Sequence, residues 1–204
     1  GQNSITLVNT NVTGNMSSTE GSSSDNNVHN VMIYQSMSGD AESGTSTFTM
    51  KGGTLTGRNG DQIYVTNTHS VITLEDVTIT NQDSSGRLLA ILGNDATRGW
   101  GTAGANGGQV DLTTTNQTLT GAIEVDTVST LNFTMGKGTN FTGTINIVEN
   151  AEGGTTVDNN AVITVEEGAT WTLTGNVTIT SLENKGTINF NGYTITLADG
   201  TVLK

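Results

Sequence analysis

The feature that most constrains this chain is a short sequence frame that recurs along it. In each copy, an apolar residue, a threonine and a second apolar residue are followed by a polar corner. A further apolar–threonine stretch comes next and ends in glycine or asparagine. The clearest copies cover residues 5–14, 48–57 and 72–81, and looser copies begin at Phe133 and Ile163. Because apolar residues and threonine alternate with a period of two, each copy predicts two short strands that bury one face.

The spacing of the copies predicts how these strands meet. The steps from Phe48 to Ile72 and from Val110 to Phe133 are 24 and 23 residues long. One such unit cannot bury its apolar face alone, whereas stacked units bury a continuous column. We therefore predict an all-β fold in which residues 45–204 form a single-stranded, right-handed parallel β-helix.

Two parts of this prediction leave alternatives open. Residues 1–44 are expected to be partly flexible around 17–27, to contain a strand at 31–34, and to add a first rung or a cap. An antiparallel β-sandwich is the alternative fold, since strands spaced about 8–12 residues apart with turn signals also fit it. Most corners, however, lack the Asn-Gly or Asp-Gly pair of a two-residue hairpin, and 59–60 and 191–192 are the exceptions.

Charge and composition narrow the classes of partner. The formal net charge is −12 with only seven lysines and arginines, so nucleic acid and anionic membranes are not expected partners. No apolar run approaches the ~20 residues of a membrane span, and no insertion into a membrane is predicted. The absence of cysteine fits a bacterial exported protein. Any signal peptide or surface anchor is expected to lie outside these residues.

The repeated sequence frame is also similar to that of a known class of proteins. The similar stretches are residues 48–57, 60–68, 72–81, 117–126 and 131–143. These stretches resemble bacterial surface and secreted proteins with a pectate-lyase-like parallel β-helix, such as autotransporter passengers and gut-bacterial adhesins. The resemblance covers about residues 45–200 and implies an extracellular or cell-surface setting. Since such families include adhesins, carbohydrate-binding modules and polysaccharide lyases, it implies a glycan or a host or plant surface ligand without identifying it.

Catalytic residues are not evident in the sequence. His29 is placed in the polar lead-in and His69 at a corner, and no Ser/His/Asp arrangement can be built on either. β-helical lyases use lysine or arginine as base with Ca²⁺ on clustered carboxylates. The candidate bases are Lys51, Arg58, Arg87, Arg98, Lys137 and Lys185, and the acidic clusters are 75–76, 124/126, 149/152 and 166–167. Most of these charges fall at corners, where solvated side chains are expected, and Lys51 and Glu75 are predicted to form a surface ion pair. A non-enzymatic module is therefore favoured, with a polysaccharide lyase or glycosidase as the alternative.

The glycine-rich loop at 93–108 is the strongest candidate for a binding site. Loops longer than ~12–15 residues are usually functional or disordered. An exposed Trp100 would offer a flat apolar face to a pyranose ring, and Arg98, Asn94 and Asp95 would bond its hydroxyls. We predict these four residues to bind carbohydrate, and the alternative is that Trp100 folds back against the core.

Other residues extend or compete with this prediction. Tyr34, Tyr64 and Tyr193 could widen the sugar platform, whereas Trp171 alternates with apolar residues and is expected in the core. No cofactor is predicted. Calcium is kept as an alternative because oxygen ligands from Asn94, Asp95 and Asn106 suit a hard cation.

Paired threonines give a third function to consider. They occur as 54/56, 78/80, 118/120, 172/174, 178/180 and 194/196. On one flat face they would resemble the ice-binding surface of β-helical antifreeze proteins. Threonine is also a common outward residue of any strand, and the irregular spacing argues against one uninterrupted array. Ice binding is therefore an alternative function.

Overall fold

The computed structural model describes residues 2–16, 28–36, 44–94 and 101–204. All regular secondary structure in this part of the chain is strand, as the sequence predicts. The strands are β1 (Ser4–Gly14), β2 (His29–Tyr34), β3 (Thr45–Gly57), β4 (Asp61–Thr66), β5 (His69–Glu75), β6 (Thr78–Asn81), β7 (Leu89–Ile91), β8 (Gln109–Thr115), β9 (Thr118–Asp126), β10 (Thr130–Met135), β11 (Asn140–Val148), β12 (Ala161–Val165), β13 (Thr170–Thr172), β14 (Val177–Ile179), β15 (Ser181–Asn184), β16 (Thr187–Asn189), β17 (Ile195–Leu197) and β18 (Val202–Leu203). In the described segments, no helix is long and apolar enough to cross a membrane.

The strands form two sheets between which the chain passes repeatedly. The first sheet has the order β1-β3-β5-β8-β10-β12-β15, with β6 also beside β3. The second has the order β2-β4-β7-β9-β11-β14-β17-β18, with β13 beside β11 and β16 beside β13. Every pairing between these strands is parallel except that of β17 with β18. The antiparallel sandwich is therefore wrong, because its neighbouring strands would run in opposite directions.

The register of the first sheet follows the repeated frame in part. Ile5, Phe48 and Ile72 are side by side, so the 24-residue step is confirmed. Val110, in contrast, pairs with Leu131 and not with Phe133, which makes that step 21 residues and the predicted 23 wrong. A shift of two residues keeps every apolar side chain on the inner face, so alternation alone could not exclude it.

The core forms from the inward side chains of both sheets. Leu, Ile and Val from successive strands stack upon one another, and three aromatic rings occupy its middle. The Phe133 and Phe141 rings are 6.1 Å apart, and those of Phe141 and Trp171 are 5.9 Å apart. Trp171 is fully buried and donates its indole N–H to the Gly143 carbonyl at 3.1 Å, which confirms its predicted place in the core.

The first two strands extend both sheets. β1 pairs with β3 along most of its length, and β2, which contains the strand expected at 31–34, pairs with β4. His29 begins β2, so its placement in a polar lead-in was wrong; its side chain is only 5% exposed. The flexible stretch expected at 17–27 lies outside the described residues.

Candidate functional site

A polar cavity lies where the chain passes from the second sheet to the first. It measures about 370 Å³ and is called the edge pocket here. Its lining consists of Gln35, Gly44, Thr45, Asn67, Thr68, His69, Gly107 and Gln109. Three of these residues, Thr45, His69 and Gln109, begin the neighbouring strands β3, β5 and β8 and are in register with one another. The parallel ladder therefore brings a hydroxyl, an imidazole and an amide to one wall.

Asparagine corners hold the opposite side of the edge pocket. Asn67 and Asn106 have φ of 51° and 59°, a left-handed conformation that asparagine tolerates better than most residues. Asn106 donates its side-chain amide to Asn67 Oδ1 at 3.1 Å, and Asn67 donates its own to the Gln35 carbonyl at 2.9 Å. Three successive corners are thus tied together by amides.

His69 connects the edge pocket to a charged pair on the first sheet. Its Nδ1 lies 3.1 Å from Thr45 Oγ1, and its Nε2 lies 2.7 Å from Asp111 Oδ2. Partial burial raises the pKa of Asp111, but hydrogen bonds from Asn132 and His69 outweigh this and hold that pKa below its usual value. His69 begins β5 directly after the corner at 67–68, so the predicted corner position is off by one residue. Its ring is fixed from both sides.

The C-terminal end of the long loop borders the edge pocket through Gly107. The two ends of the loop are tied to each other, because Asn94 accepts from Gly104 N at 2.9 Å through its carbonyl and donates its own N–H to Ala105 O at 2.7 Å. Gly104 also packs tightly on Gly154, where an added Cβ would overlap the Gly104 carbonyl oxygen. The described base of the loop is therefore held in place next to the pocket at its C-terminal end.

The four predicted carbohydrate ligands are only partly visible in this arrangement. Asn94 is 2% exposed at the base of the loop. Asp95, Arg98 and Trp100 lie outside the described residues, so their binding role stays a prediction. No three carboxylate, imidazole or thiol side chains gather into a metal site within the described ranges, and the calcium alternative is untested.

The proposed tyrosine platform is corrected in one respect. Tyr64 is 3% exposed and cannot present its ring to a sugar, whereas Tyr34 and Tyr193 are exposed. The residues that sequence reasoning missed are those of the edge pocket. Thr45, His69 and Gln109 align only once the register is known, because Val110, which directly follows Gln109, is itself a buried core residue.

The candidate base Arg87 is held in a buried ion-pair network. Its Nε and Nη2 donate to the two Asp61 oxygens at 2.9 and 2.8 Å, and its Nη1 donates to Glu124 Oε2 at 2.8 Å. Burial alone would lower the pKa of Arg87, but the two carboxylates raise it above its ordinary value. The guanidinium thus stays protonated and stabilises the sheet.

Two other candidate bases are also paired on the surface. Lys51 Nζ is 3.0 Å from Glu75 Oε2, which confirms the predicted ion pair. Lys185 Nζ lies 3.0 Å from Glu183 and 3.5 Å from Glu166. Exposed pairs of this kind contribute little to stability because water and salt screen them.

Outward threonines form longer columns than their sequence spacing suggested. In the first sheet, one uninterrupted column contains Thr6, Thr49, Thr73, Thr113, Thr134 and Thr164. None of the paired threonines of the sequence belongs to this column, which takes one threonine from each of six strands.

Comparison of this chain with known protein-family models, curated proteins and solved structures finds no match. The functional inference therefore rests on the residues described above.

Proposed function

We propose that this chain is a right-handed parallel β-helical module of a bacterial surface or secreted protein, and that it binds carbohydrate without catalysing a reaction. Parallel pairing of strands that alternate between two sheets supports the β-helix, as does the alignment of the repeated frame in Ile5, Phe48 and Ile72. In a parallel sheet, consecutive paired strands need a crossover, and a second sheet supplies it here.

The observation that carries the binding proposal is the chemistry of the edge pocket. Its polar lining presents the exposed Gln109 amide, with the Thr45 hydroxyl and the His69 imidazole beside it. Sugar hydroxyls both donate and accept hydrogen bonds, and amides and hydroxyls do the same. A concave site with a few convergent polar groups on a rigid scaffold is the usual form of a small-ligand site.

The long loop supplies the second half of the proposal. The described end of the loop is anchored beside the pocket, since Thr102 donates its N–H to Asn106 Oδ1 at 3.3 Å and Asn106 donates its side-chain amide to Asn67 Oδ1 at 3.1 Å. We assign Trp100 to stack on the sugar ring, with Arg98 and Asp95 as polar partners from the same loop, while Asn94, which is 2% exposed, holds the base of the loop.

A glycan array with and without Ca²⁺ tests this function. The protein should retain at least one neutral glycan, and Trp100→Ala should abolish the retention, while the control Val202→Ala, at an exposed position outside the proposed site, should not. Equal retention by the Trp100→Ala variant and the wild type would refute the site. Unsaturated products absorbing in the ultraviolet would instead show the lyase alternative, and loss of retention on chelation would show the calcium alternative.

Ice binding is the second candidate, and the threonine column of the first sheet is the observation that favours it. Six threonines in register give a regular row of hydroxyls about 4.8 Å apart along the sheet. Thermal hysteresis measurements test it directly. Hysteresis that disappears in Thr113→Leu would support this function, and freezing behaviour equal to that of a buffer control would exclude it.

A further inference from the structure

A second polar surface lies mainly on the second sheet and shares no lining residue with the edge pocket. It begins at a groove of about 280 Å³ between β6, which belongs to the first sheet, and β9 of the second sheet. The groove is lined by Asp76, Val77, Thr78, Ile79, Asn116, Thr118 and Thr120. Val77 and Ile79 give it an apolar floor, and the hydroxyls and amide stand along its rim.

Buried hydrogen bonds fix the shape of this groove. The side chain of Gln117 is fully buried and clamps the start of β6 to that of β9. It accepts from Val77 N at 2.9 Å and donates to Val77 O at 2.7 Å. Since both ends of the Gln117 amide are used, the two strands cannot slide without leaving buried polar groups unpaired. The groove is therefore preformed.

Two parallel columns of neutral side chains continue from the groove across β9, β11, β13 and β16. One column contains Thr118, Asn140, Thr170 and Thr187, and the other contains Thr120, Thr142, Thr172 and Asn189. The columns are about 6.7 Å apart along each strand, and the four strands span about 14 Å. Together with the groove they form a long, narrow surface, called the threonine track here.

The hydroxyls of the threonine track are available for a ligand. Within the described part of the chain, Thr118, Thr120, Thr142 and Thr170 make no side-chain hydrogen bonds, whereas Asn189 donates to Thr172 Oγ1 at 3.2 Å. The first three of these are exposed and Thr170 is partly exposed. Free hydroxyls at a fixed spacing offer a donor and acceptors on every strand.

Charge decides which partner fits. The two columns hold no ionisable residue, although the chain has a net charge of −12. Nucleic acid and anionic polysaccharides need cationic contacts, which the track lacks. Protein interfaces are enriched in aromatic residues, methionine and arginine, and the columns contain none of these. A neutral polymer whose own surface is made of hydroxyls remains.

We propose that the threonine track binds an extended chain of a neutral polysaccharide, independently of the edge pocket. The apolar floor at Val77 and Ile79 accepts the less polar face of one sugar ring, and the columns bond the hydroxyls of the following rings. The track thus recognises polymer length, whereas the edge pocket holds a terminal or short glycan.

Affinity electrophoresis tests this proposal with gels that contain a soluble neutral glucan, mannan or xylan, and with polygalacturonate as the anionic comparison. The wild-type protein should be retarded by a neutral polymer and not by polygalacturonate. The triple variant Thr120→Val, Thr142→Val, Thr172→Val should lose about tenfold or more of its apparent affinity. The matched control replaces Thr73, Thr113 and Thr134 of the first sheet by valine. This control should leave the apparent affinity for the neutral polymer unchanged.

Further variants separate the loss of hydroxyl groups from a loss of folding and from binding at the edge pocket. Valine preserves strand propensity, so circular dichroism should be the same for all variants. Thr142→Ser should restore retardation when it replaces Thr142→Val in the triple variant. Gln109→Ala in the edge pocket should leave retardation intact, which separates this proposal from the function above.

Three results would overturn the proposal: no retardation by any neutral polymer, an equal loss in both triple variants, or retardation by polygalacturonate alone. Thermal hysteresis that the second-sheet triple variant abolishes, with no polymer bound, would also overturn it and assign the track to ice.

Discussion

The imidazole of His29 lies face to face with the ring of Tyr64, with centroids 4.1 Å apart and an interplanar angle of 10°. The stack joins the first two strands of the second sheet. His29 Nδ1 lies 3.2 Å from Asp61 Oδ2, and Nε2 has no hydrogen-bond partner among the described residues. The ring therefore acts mainly as a flat side chain that covers Tyr64 and the buried carboxylate.

Replacing His29 should show that ring shape outweighs polarity at this position. We expect His29→Phe to lower the free energy of unfolding by only about 1 kcal/mol, because the stacked ring is kept while the contact of Nδ1 that helps hold Asp61 ionised is lost. His29→Ala should cost about 2 kcal/mol through the lost stack and the cavity. Urea denaturation measures both, with the more exposed His69→Ala as control. A phenylalanine variant as unstable as the alanine variant would assign the stability to the imidazole nitrogens.

Asp61 should make stability fall in acid. Burial alone would raise the pKa of its carboxyl, but the neighbouring His29 and Arg87 groups hold that pKa well below its ordinary value of 3.8. A depressed folded-state pKa contributes stability that is fully present well above the unfolded pKa and is lost as the pH falls below about 3.8 towards the folded value. Asp61→Asn should flatten this part of the pH profile.

The same variant should also destabilise the protein at neutral pH. Breaking a buried ion pair costs about 3–5 kcal/mol, and we expect the lower end because Arg87 keeps Glu124 and is 27% exposed. The comparison variant is Asp111→Asn, whose pair with His69 is largely exposed and should contribute under about 1 kcal/mol. Equal losses in the two variants, measured by denaturation between pH 2 and pH 7, would contradict the assignment.

The close approach of β11 to β9 should tolerate no side chain at Gly143. A Cβ there would overlap the Gly121 carbonyl oxygen, which is backbone and cannot move aside. Gly143→Ala should therefore cost more than about 2 kcal/mol or prevent folding. Gly175→Ala is the control, because its added Cβ would meet only the Thr144 methyl group, at 3.2 Å. Thermal melts of both variants test this, and similar midpoints would show that the two strands can move apart at this position.

Binding at the edge pocket should depend on Gln109. The residue begins β8 and lines the pocket next to His69, so Gln109→Ala removes one donor and one acceptor without touching the core. We expect glycan affinity to fall about three- to tenfold, as for the loss of one or two hydrogen bonds. The exposed Gln82→Ala is the matched control. Isothermal titration with a glycan from the array measures both, and unchanged affinity in Gln109→Ala would remove the edge pocket from the binding site.

The sequence could predict the parallel pairing because its signal is periodic. Phe48 and Ile72 occupy equivalent places in similar frames, and the structure sets them side by side. Alternation defines which face of a strand is buried, but a shift of the pairing by two residues buries the same face. The predicted partner of Val110 was therefore Phe133, whereas the structure pairs it with Leu131. His29 was misjudged for a related reason, since its neighbours in sequence are polar while its neighbours in space are Tyr64 and Asp61.

The edge pocket could not be predicted from any one segment. Its walls come from the corner at Asn67, the loop end at Gly107 and the starts of three strands, which only the register brings together. The asparagine corners depend on left-handed backbone at Asn67 and Asn106, and many asparagines in this chain do not adopt it. The sequence indicated that the 93–108 loop matters; it did not indicate what borders the loop.

Arg87 also limits how far β7 can shift in register against its neighbours in the second sheet. β7 is three residues long, and an isolated strand of that length has few side chains with which to choose between alternative alignments. The guanidinium beside it reaches Asp61 at the start of β4 and Glu124 in β9, the strands on either side. A shift of β7 by one residue would pull the same cation away from both anions. A single side chain thus sets the alignment of three strands.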